Sequence, residues 1–294
     1  MSTTTTGHGE DRAFKGKVTL FAIAAAVGGF LFGFDSSVIN GAVDAIKGEF
    51  NLSDAASGFA VASALIGCAF GAYFAGRLAD RYGRTRIMFW AAVLFFVSSI
   101  GSAFAFATWD LVIWRLVGGL GIGTASVIAP AYISEVSPKA IRGRLASFQQ
   151  LAITLGIFAA LLSDQLFAVT AGSASAEVWG LAAWRWMFLV GVIPSVVYGV
   201  LAITLPESPR YLLTKGRDDD ARVVMGKIVP RDTVNTSLEE IQDGIKKEAS
   251  EKKGSIRGNR FGLQPIVWVG IILAVLQQFV GINVIFYYST TLWQ

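Results

Sequence analysis

The stretch VTLFAIAAAVGGFLFGFDSSVINGAV, residues 18–43, is apolar along almost its whole length and decides the class of fold. A helix needs about 20 apolar residues to cross a bilayer, and comparable runs recur along a chain of 294 residues, 53% of them hydrophobic. The mean hydropathy is +0.55. The sequence therefore predicts an all-α, polytopic membrane protein with spans near residues 18–43, 56–79, 87–107, 111–133, 145–169, 184–205 and 263–292.

Basic residues predict how the chain is oriented, because Lys and Arg are retained in cytoplasmic connections. They concentrate before the first span, between the second and third, between the fourth and fifth, and between the sixth and seventh. We therefore expect a multi-pass protein of the plasma membrane with a cytoplasmic N-terminus. The net charge of +4 follows from this pattern, so we expect membrane lipid as a partner and no nucleic acid.

The span pattern divides the chain into four segments. Residues 1–17 are predicted to form a cytoplasmic tail and residues 18–206 a six-helix transmembrane bundle. Residues 207–262 are read as a cytoplasmic helical insert, and residues 263–294 as the seventh helix, which begins an incomplete C-terminal bundle. Six spans followed by a long connection match the six-plus-six plan of many secondary transporters.

Two patterns inside the insert favour helices over a flexible charged linker, which is the alternative. DDDARVVMGKI, residues 218–228, has an acidic start and an apolar stripe formed by Ala221, Val224, Met225 and Ile228. SLEE, residues 237–240, predicts a capping box from Ser237 to Glu240 at the start of a second helix.

Two charges lie inside apolar spans, where ionisable residues are costly and usually functional. A helix rises about 1.5 Å per residue. Asp35 lies about 17 residues from the inner end of its span, or about 25 Å from the inner membrane face, and Arg115 lies about 6–9 Å from the outer face. Both therefore fall in the outer half of a core about 30 Å thick. We expect them to pair, with burial favouring the protonated acid and the guanidinium favouring the ionised one. The pair predicts a proton-coupling site; the alternative is a static ion pair that locks two helices.

The stretch QQFVGINVIFYYST, residues 277–290, carries amides and tyrosines inside an otherwise apolar span. Amides both donate and accept hydrogen bonds, as sugar hydroxyls do, and aromatic rings cover apolar C–H faces. Gly281 permits a local break, which is tolerated where a helix lines a cavity. The stretch predicts a site for a neutral polyol, and the alternative is hydrogen bonding between helices.

The cytoplasmic connections mix acids with bases, although orientation alone requires only the bases. We predict that they form an ion-pair latch that favours one conformation of the protein. Its members are Asp80, Arg81, Arg84, Glu135, Arg142, Arg144, Glu207 and Arg210.

Catalysis is not predicted, because no nucleophile with a base and no metal-ligand cluster is found. We expect no enzyme activity, no cofactor and no metal site. A seven-helix receptor is disfavoured by the charge pattern, and a retinal protein by the lack of a lysine in the seventh span.

Five segments together closely resemble the sugar porters of the major facilitator superfamily, in order and spacing, over the chain from about residue 18 to its end. The segments are GGFLFGFDSSVING, GRLADRYGRTR, RLVGGLGIGTASVIAPAYISEVSPKAIRGRLASFQQ, PESPRYL and QQFVGINVIFYY. The resemblance implies a major facilitator fold that holds a monosaccharide between two six-helix halves. It places sugar contacts on Phe32, Gln150, Gln277, Gln278, Asn283 and Tyr287, with Ile153 and Ile157 lining the same cavity.

Asp35 and Arg115 match the positions that distinguish proton-coupled members of this family, whereas Gly191 stands where some symporters carry a further acid. The resemblance thus implies a bacterial glucose permease-like protein that imports a glucose-like hexose by proton symport with alternating access, as a monomer. Two alternatives stay open: a facilitative uniporter, and a non-transporting truncated half, since the family has twelve spans.

Overall fold

The computed structural model describes residues 6–138, 140–250 and 264–281. Six spans are long and apolar enough to cross a membrane among these residues, which confirms the first six predicted spans. Their helices are α1 (Thr6–Glu49), α2 (Asp54–Tyr82), α3 (Arg84–Ala103), α4 (Thr108–Val136), α5 (Arg142–Ala171), and α6 (Ala183–Val190) with α7 (Val192–Thr204), which together form the sixth span.

Two spans differ in detail from the prediction. α1 already begins at Thr6, inside the predicted tail; helices extend cooperatively once started, and no proline precedes Pro130. The sixth span is interrupted at Gly191, between α6 and α7. Pro194 explains the interruption, because it lacks the N–H that would continue the backbone ladder.

A short β-hairpin joins α5 to α6 and was not predicted. β1 (Glu177–Val178) pairs antiparallel with β2 (Leu181–Ala182). The turn residues Trp179 and Gly180 have φ values of 50° and 82°, as a tight two-residue hairpin turn requires. The rest of the described chain is helical or irregular, so the predicted all-α class is confirmed apart from this turn.

α1 and α4 lie at the centre of the bundle: α1 packs against α5, α4 and α7, and α4 against α2, α3 and α1. The α1–α5 contact is close enough to require glycine. A Cβ on Gly33 would lie 2.0 Å from the Ile153 carbonyl oxygen, and one on Gly156 would lie 2.2 Å from the Phe30 carbonyl oxygen. Backbones therefore touch directly at this seam, a mode of packing common in membranes.

The segment between the sixth and seventh predicted spans contains the helices α8 (Pro209–Thr214), α9 (Asp218–Ile228) and α10 (Val234–Ser250). The predicted stripe on α9 is buried at all four positions. α10 begins at Val234 after a 3₁₀ turn at Arg231–Thr233, so Ser237 lies inside the helix and the predicted capping box is wrong. The 3₁₀ turn after Pro230 leads directly into α10, which therefore begins about one turn before the predicted cap at Ser237.

The described part of the seventh predicted span is α11 (Pro265–Phe279). Gly281 has a φ of +75°, a conformation that ends a helix and that glycine adopts without strain. The described helix thus ends two residues before the glycine at which the break was predicted. Residues 282–294, the remainder of the predicted span, lie outside the described residues.

Candidate sugar and proton site

Asp35 and Arg115, which the sequence analysis placed at similar depths in the membrane, form an ion pair in the core between α1 and α4. Arg115 Nη1 donates a hydrogen bond of 2.7 Å to Asp35 Oδ1, and the two side chains are 2% and 5% exposed. The guanidinium also lies 5.7 Å from the ring centroid of Phe188 on α6. The pair is thus enclosed by three of the six spans.

The contact satisfies only part of the pair's hydrogen-bonding capacity. Asp35 Oδ2 and Arg115 Nε are buried and have no hydrogen-bond partner among the described residues. A fully matched arginine–carboxylate pair would use two parallel bonds. The unused carboxylate oxygen is a place where a proton can bind without displacing another group.

The four predicted sugar contacts of the first six spans lie along the α1–α5 seam. Gly33 packs on the backbone of Ile153 and Ile157, so its neighbour Phe32 lies beside that turn of α5. Phe32, Ile153 and Ile157 are half-buried, and Gln150 is exposed. One amide and three apolar groups therefore border a common face.

The seventh helix carries the remaining predicted sugar contacts. Gln277 lies in α11 and is exposed, and Gln278 follows it in the same helix. Asn283 and Tyr287 lie outside the described residues. Six of the eight predicted sugar contacts therefore lie among the described residues.

Three buried polar groups beside this seam were missed by the sequence analysis. Gln149 packs on Gly29, the Tyr198 hydroxyl on Gly28, and Asp164 on Gly41. Each has at least one buried polar atom with no partner among the described residues. A signal for Asp164 existed in the sequence, since it is an acid inside a span.

The ion pairs among the predicted latch residues centre on Arg84, which is buried between helices. Its Nε and Nη2 donate to the two carboxylate oxygens of Glu135, each at 3.0 Å. It also pairs with Asp80 at 3.0 Å and donates to the Ala79 carbonyl oxygen at 3.2 Å. Arg84 thus links α2, α3 and α4.

Glu207 caps the N-terminus of α3 from the end of the sixth span. Its carboxylate accepts hydrogen bonds from the Arg84 and Thr85 amides at 2.9 and 3.4 Å, and from the Thr85 hydroxyl at 3.0 Å. α3 has no side-chain cap of its own at Gly83. Thr85 was not predicted as part of the latch.

The other predicted latch residues do not enter this cluster. Arg81 lies over the Tyr82 ring, with 5.3 Å to its centroid, and Arg144 is exposed. Arg142 donates to the Ser137 carbonyl oxygen at 3.5 Å, and Arg210 pairs with Glu248 of α10. The cluster of Asp80, Arg84, Glu135 and Glu207 braces elements within one bundle.

A second ionic cluster, also missed by the sequence analysis, joins the ends of three helices at the side of the bundle opposite Arg84. Glu49 accepts hydrogen bonds from Trp184 Nε1 at 2.7 Å and from Arg185 Nη2 at 2.6 Å. Arg185 Nη1 donates to the carbonyl oxygens of Ala103 and Ala105 at 2.7 and 3.0 Å. The ends of α1, α3 and α6 are joined in this way.

Comparison with known proteins decides the family. Residues 21–294 match the family model described as "Sugar (and other) transporter". The chain belongs to this family of sugar transporters. Its family members are transporters, so the expectation that the protein is not an enzyme is confirmed.

Named relatives agree with the family. The chain is 52% identical over 279 residues to a glucose transport protein of a Synechocystis strain, covering 94% of this chain and 59% of the relative. It is 38% identical over 293 residues to the D-xylose-proton symporter of Escherichia coli, covering 91% of this chain and 58% of the relative. The chain therefore spans somewhat more than half the length of these relatives.

Solved structures give the same fold. The chain is similar to the proton:xylose symporter XylE of the major facilitator superfamily, bound to 6-bromo-6-deoxy-D-glucose, with a TM-score of 0.82 and 36% identity. The match covers 94% of this chain and 62% of that one. The inward-open conformation of the E. coli transporter matches with a TM-score of 0.77. The major facilitator fold is thereby confirmed.

Proposed function

We propose that this sugar transporter sequence supplies the first six spans and the start of the seventh in a proton-coupled carrier that imports a glucose-like hexose. The observation that carries the proposal is the buried Asp35–Arg115 pair, joined by one hydrogen bond between the two central helices. Relatives named as a glucose transport protein and as a D-xylose-proton symporter support the substrate class and the coupling ion.

Proton binding at Asp35 would change the contact between α1 and α4. With the acid ionised, Arg115 holds Oδ1; a proton on the carboxyl removes the charge that holds the guanidinium. Removing one charge of a buried ion pair changes the free energy of the folded protein by several kcal/mol. Coupling of sugar transport to protons requires a contact that has two arrangements and shifts between them when one proton binds, and the α1–α4 contact is of this kind.

The sugar would lie against the α1–α5 face. The Gln150 amide can both donate and accept, and Phe32, Ile153 and Ile157 offer apolar surface to a sugar ring. Gln277, Gln278, Asn283 and Tyr287 of the seventh helix would complete the site. No Lys or Arg belongs to this set, which favours an uncharged polyol over an ionic substrate.

The proposed carrier lies in the plasma membrane as a monomer surrounded by lipid, with its N-terminus in the cytoplasm. Alternating access would move two halves about the sugar site. In this scheme the Arg84–Glu135 cluster holds the inner ends of the first-half helices together, and the remaining latch residues, Arg81, Arg142, Arg144 and Arg210, face the cytoplasmic side where the halves meet.

Sugar uptake into lipid vesicles tests the proposal. One preparation contains this chain alone; a second contains this chain followed by the part of the Synechocystis relative that lies beyond the matched region. We expect the extended chain to accumulate labelled glucose against a gradient when the outside is acidified. Accumulation by the first preparation as well would show that these spans suffice.

Three results distinguish the alternatives. Glucose equilibration without accumulation, insensitive to external pH, would favour a facilitative uniporter. Uptake by the extended chain but not by the chain alone would mean that these spans need a partner half. Failure of both preparations to take up glucose, xylose or another neutral sugar would overturn the proposal.

A further inference from the structure

The side chain of Asp164, on α5, is a buried acid that the proposed sugar and proton site does not use. The residue is 4% exposed. Both carboxylate oxygens are shielded from solvent, and neither has a hydrogen-bond partner among the described residues. This differs from Asp35, whose Oδ1 accepts a hydrogen bond from Arg115.

Close packing against α1 holds this carboxyl in place. A Cβ at Gly41 would lie 2.6 Å from Asp164 Cβ, 2.7 Å from its Cγ and 2.8 Å from its Oδ2. The carboxyl thus occupies the space that any larger residue at position 41 would need. Among the described residues, the only donor beside this carboxyl is the backbone amide of Gly41, which does not reach hydrogen-bonding geometry, so an ionised carboxylate buried there would be poorly compensated.

The charged groups around Asp164 do not offset a negative charge. A cavity of about 740 Å³ lies beside it at the outer end of α1 and α5. The other acid on its wall is Asp44 of α1, and no Lys, Arg or His belongs to the described residues that line it. Asn40, Gln165 and Ser173 contribute neutral polar groups.

The cavity continues the face that borders the predicted sugar contacts. On α1, Gly33 packs on Ile153 and Ile157 of α5, and Gly41 packs on Asp164 of the same helix. On α5, Ile157 and Asp164 are seven residues apart and differ by only about 20° around the helix. Asp164 therefore lies along the same face, nearer the outer surface.

We propose that Asp164 is a second proton-binding site, separate from Asp35 and served by the outer cavity. Its contact Gly41 lies six residues beyond Asp35 on α1, or about 9 Å further out. The proton neutralises Asp164 while α1 and α5 are packed together. Loss of the proton leaves a carboxylate that needs water or a donor, so the outer end of the α1–α5 seam must open to admit one.

Infrared titration of the whole chain in lipid nanodiscs tests this assignment without requiring transport, so its outcome is independent of the proposed function. A protonated carboxyl has a C=O stretch that an ionised one lacks. In an Asp35→Asn background, we expect such a band at neutral pH, its loss on alkaline titration, and its removal by Asp164→Asn. The matched control is Asp44→Asn, an exposed acid of the same cavity, which should leave the neutral-pH band unchanged.

Two results would overturn the proposal. The first is an Asp35→Asn spectrum with no protonated carboxyl at neutral pH, which decides the question even if the Asp164→Asn protein does not fold. The second is replacement of the proton by Na⁺ at neutral pH, seen as a sodium-dependent loss of the band with half-saturation at physiological concentration. That result would assign the cavity to a metal cation.

Thermal unfolding provides a second readout in the same nanodiscs. The proton on Asp164 contributes to the stability of the folded state, so the part of the stability that depends on Asp164 should decline as the pH rises. Asp164→Asn should flatten this decline, whereas Asp44→Asn should not. An equal decline in the wild type and in Asp164→Asn would contradict the proposal.

Discussion

Arg115 holds Asp35 through a single hydrogen bond of 2.7 Å, whereas the second carboxylate oxygen of Asp35 has no partner among the described residues. The bond joins the two central helices at a depth where water is scarce. One proton on this carboxyl therefore changes a buried ionic contact between α1 and α4.

Replacing Asp35 with Asn should separate sugar movement from proton movement. The amide keeps the shape of the acid but cannot release a proton, so accumulation of glucose against a gradient should be lost in the extended carrier. Exchange of labelled for unlabelled glucose should persist. The check is to measure both in vesicles with and without an imposed pH gradient; retained accumulation would assign coupling elsewhere.

Replacing Arg115 with Ala should act on stability as well as on coupling. It leaves Asp35 buried without its partner, a change that typically costs about 3–5 kcal/mol when the acid stays charged. Because a proton can neutralise Asp35, the loss should be smaller at acidic pH. Thermal unfolding of Arg115→Ala with and without Asp35→Asn tests this, since the double variant should recover most of the loss.

Gln150 and Gln149 are adjacent amides for which we expect opposite effects. Gln150 is exposed on α5, so Gln150→Ala should raise the KM for glucose about tenfold, the equivalent of about 1.4 kcal/mol, with unfolding unchanged. Gln149 is buried against Gly29, so Gln149→Ala should alter stability more than KM. Transport kinetics and unfolding curves of both variants provide the comparison, and the reverse pattern would contradict the assignment.

Gly33 should not tolerate even one added methyl group. A Cβ there would overlap the Ile153 carbonyl oxygen at 2.0 Å, so Gly33→Ala should cost about 1–3 kcal/mol through overpacking. Gly76→Ala is the matched control, because no atom lies within 4 Å of its added Cβ. The control should be neutral or slightly stabilising in the same thermal unfolding assay.

Glu207→Gln should weaken the inner end of the bundle. The amide keeps only one of the two carboxylate oxygens that accept hydrogen bonds from the first turn of α3, and loss of a helix cap costs about 0.5–2 kcal/mol. Arg210→Gln, which removes an exposed ion pair, should cost less than 1 kcal/mol. Hydrogen exchange at the start of α3 is the measurement, with faster exchange expected only in Glu207→Gln.

Counting along the sequence was enough to place the spans and to match the depths of Asp35 and Arg115. Length and hydropathy determine whether a helix crosses a bilayer, and a helix rises by a constant distance per residue. Depth is therefore a local property of the chain. The left-handed backbone at Gly281 was predictable for the same reason, since it depends on the backbone freedom of one residue.

Which side of a span faces a neighbour was not predictable in this way. The spans are apolar on several faces, because lipid and protein interior both accept apolar groups, and so the sequence carries little signal for the direction of a side chain. Only the tertiary structure distinguishes buried Gln149 from exposed Gln150, and places Glu207 over α3 across more than a hundred residues. It also brings Asp164 onto Gly41, because packing between distant helices, unlike depth, is decided by the whole bundle.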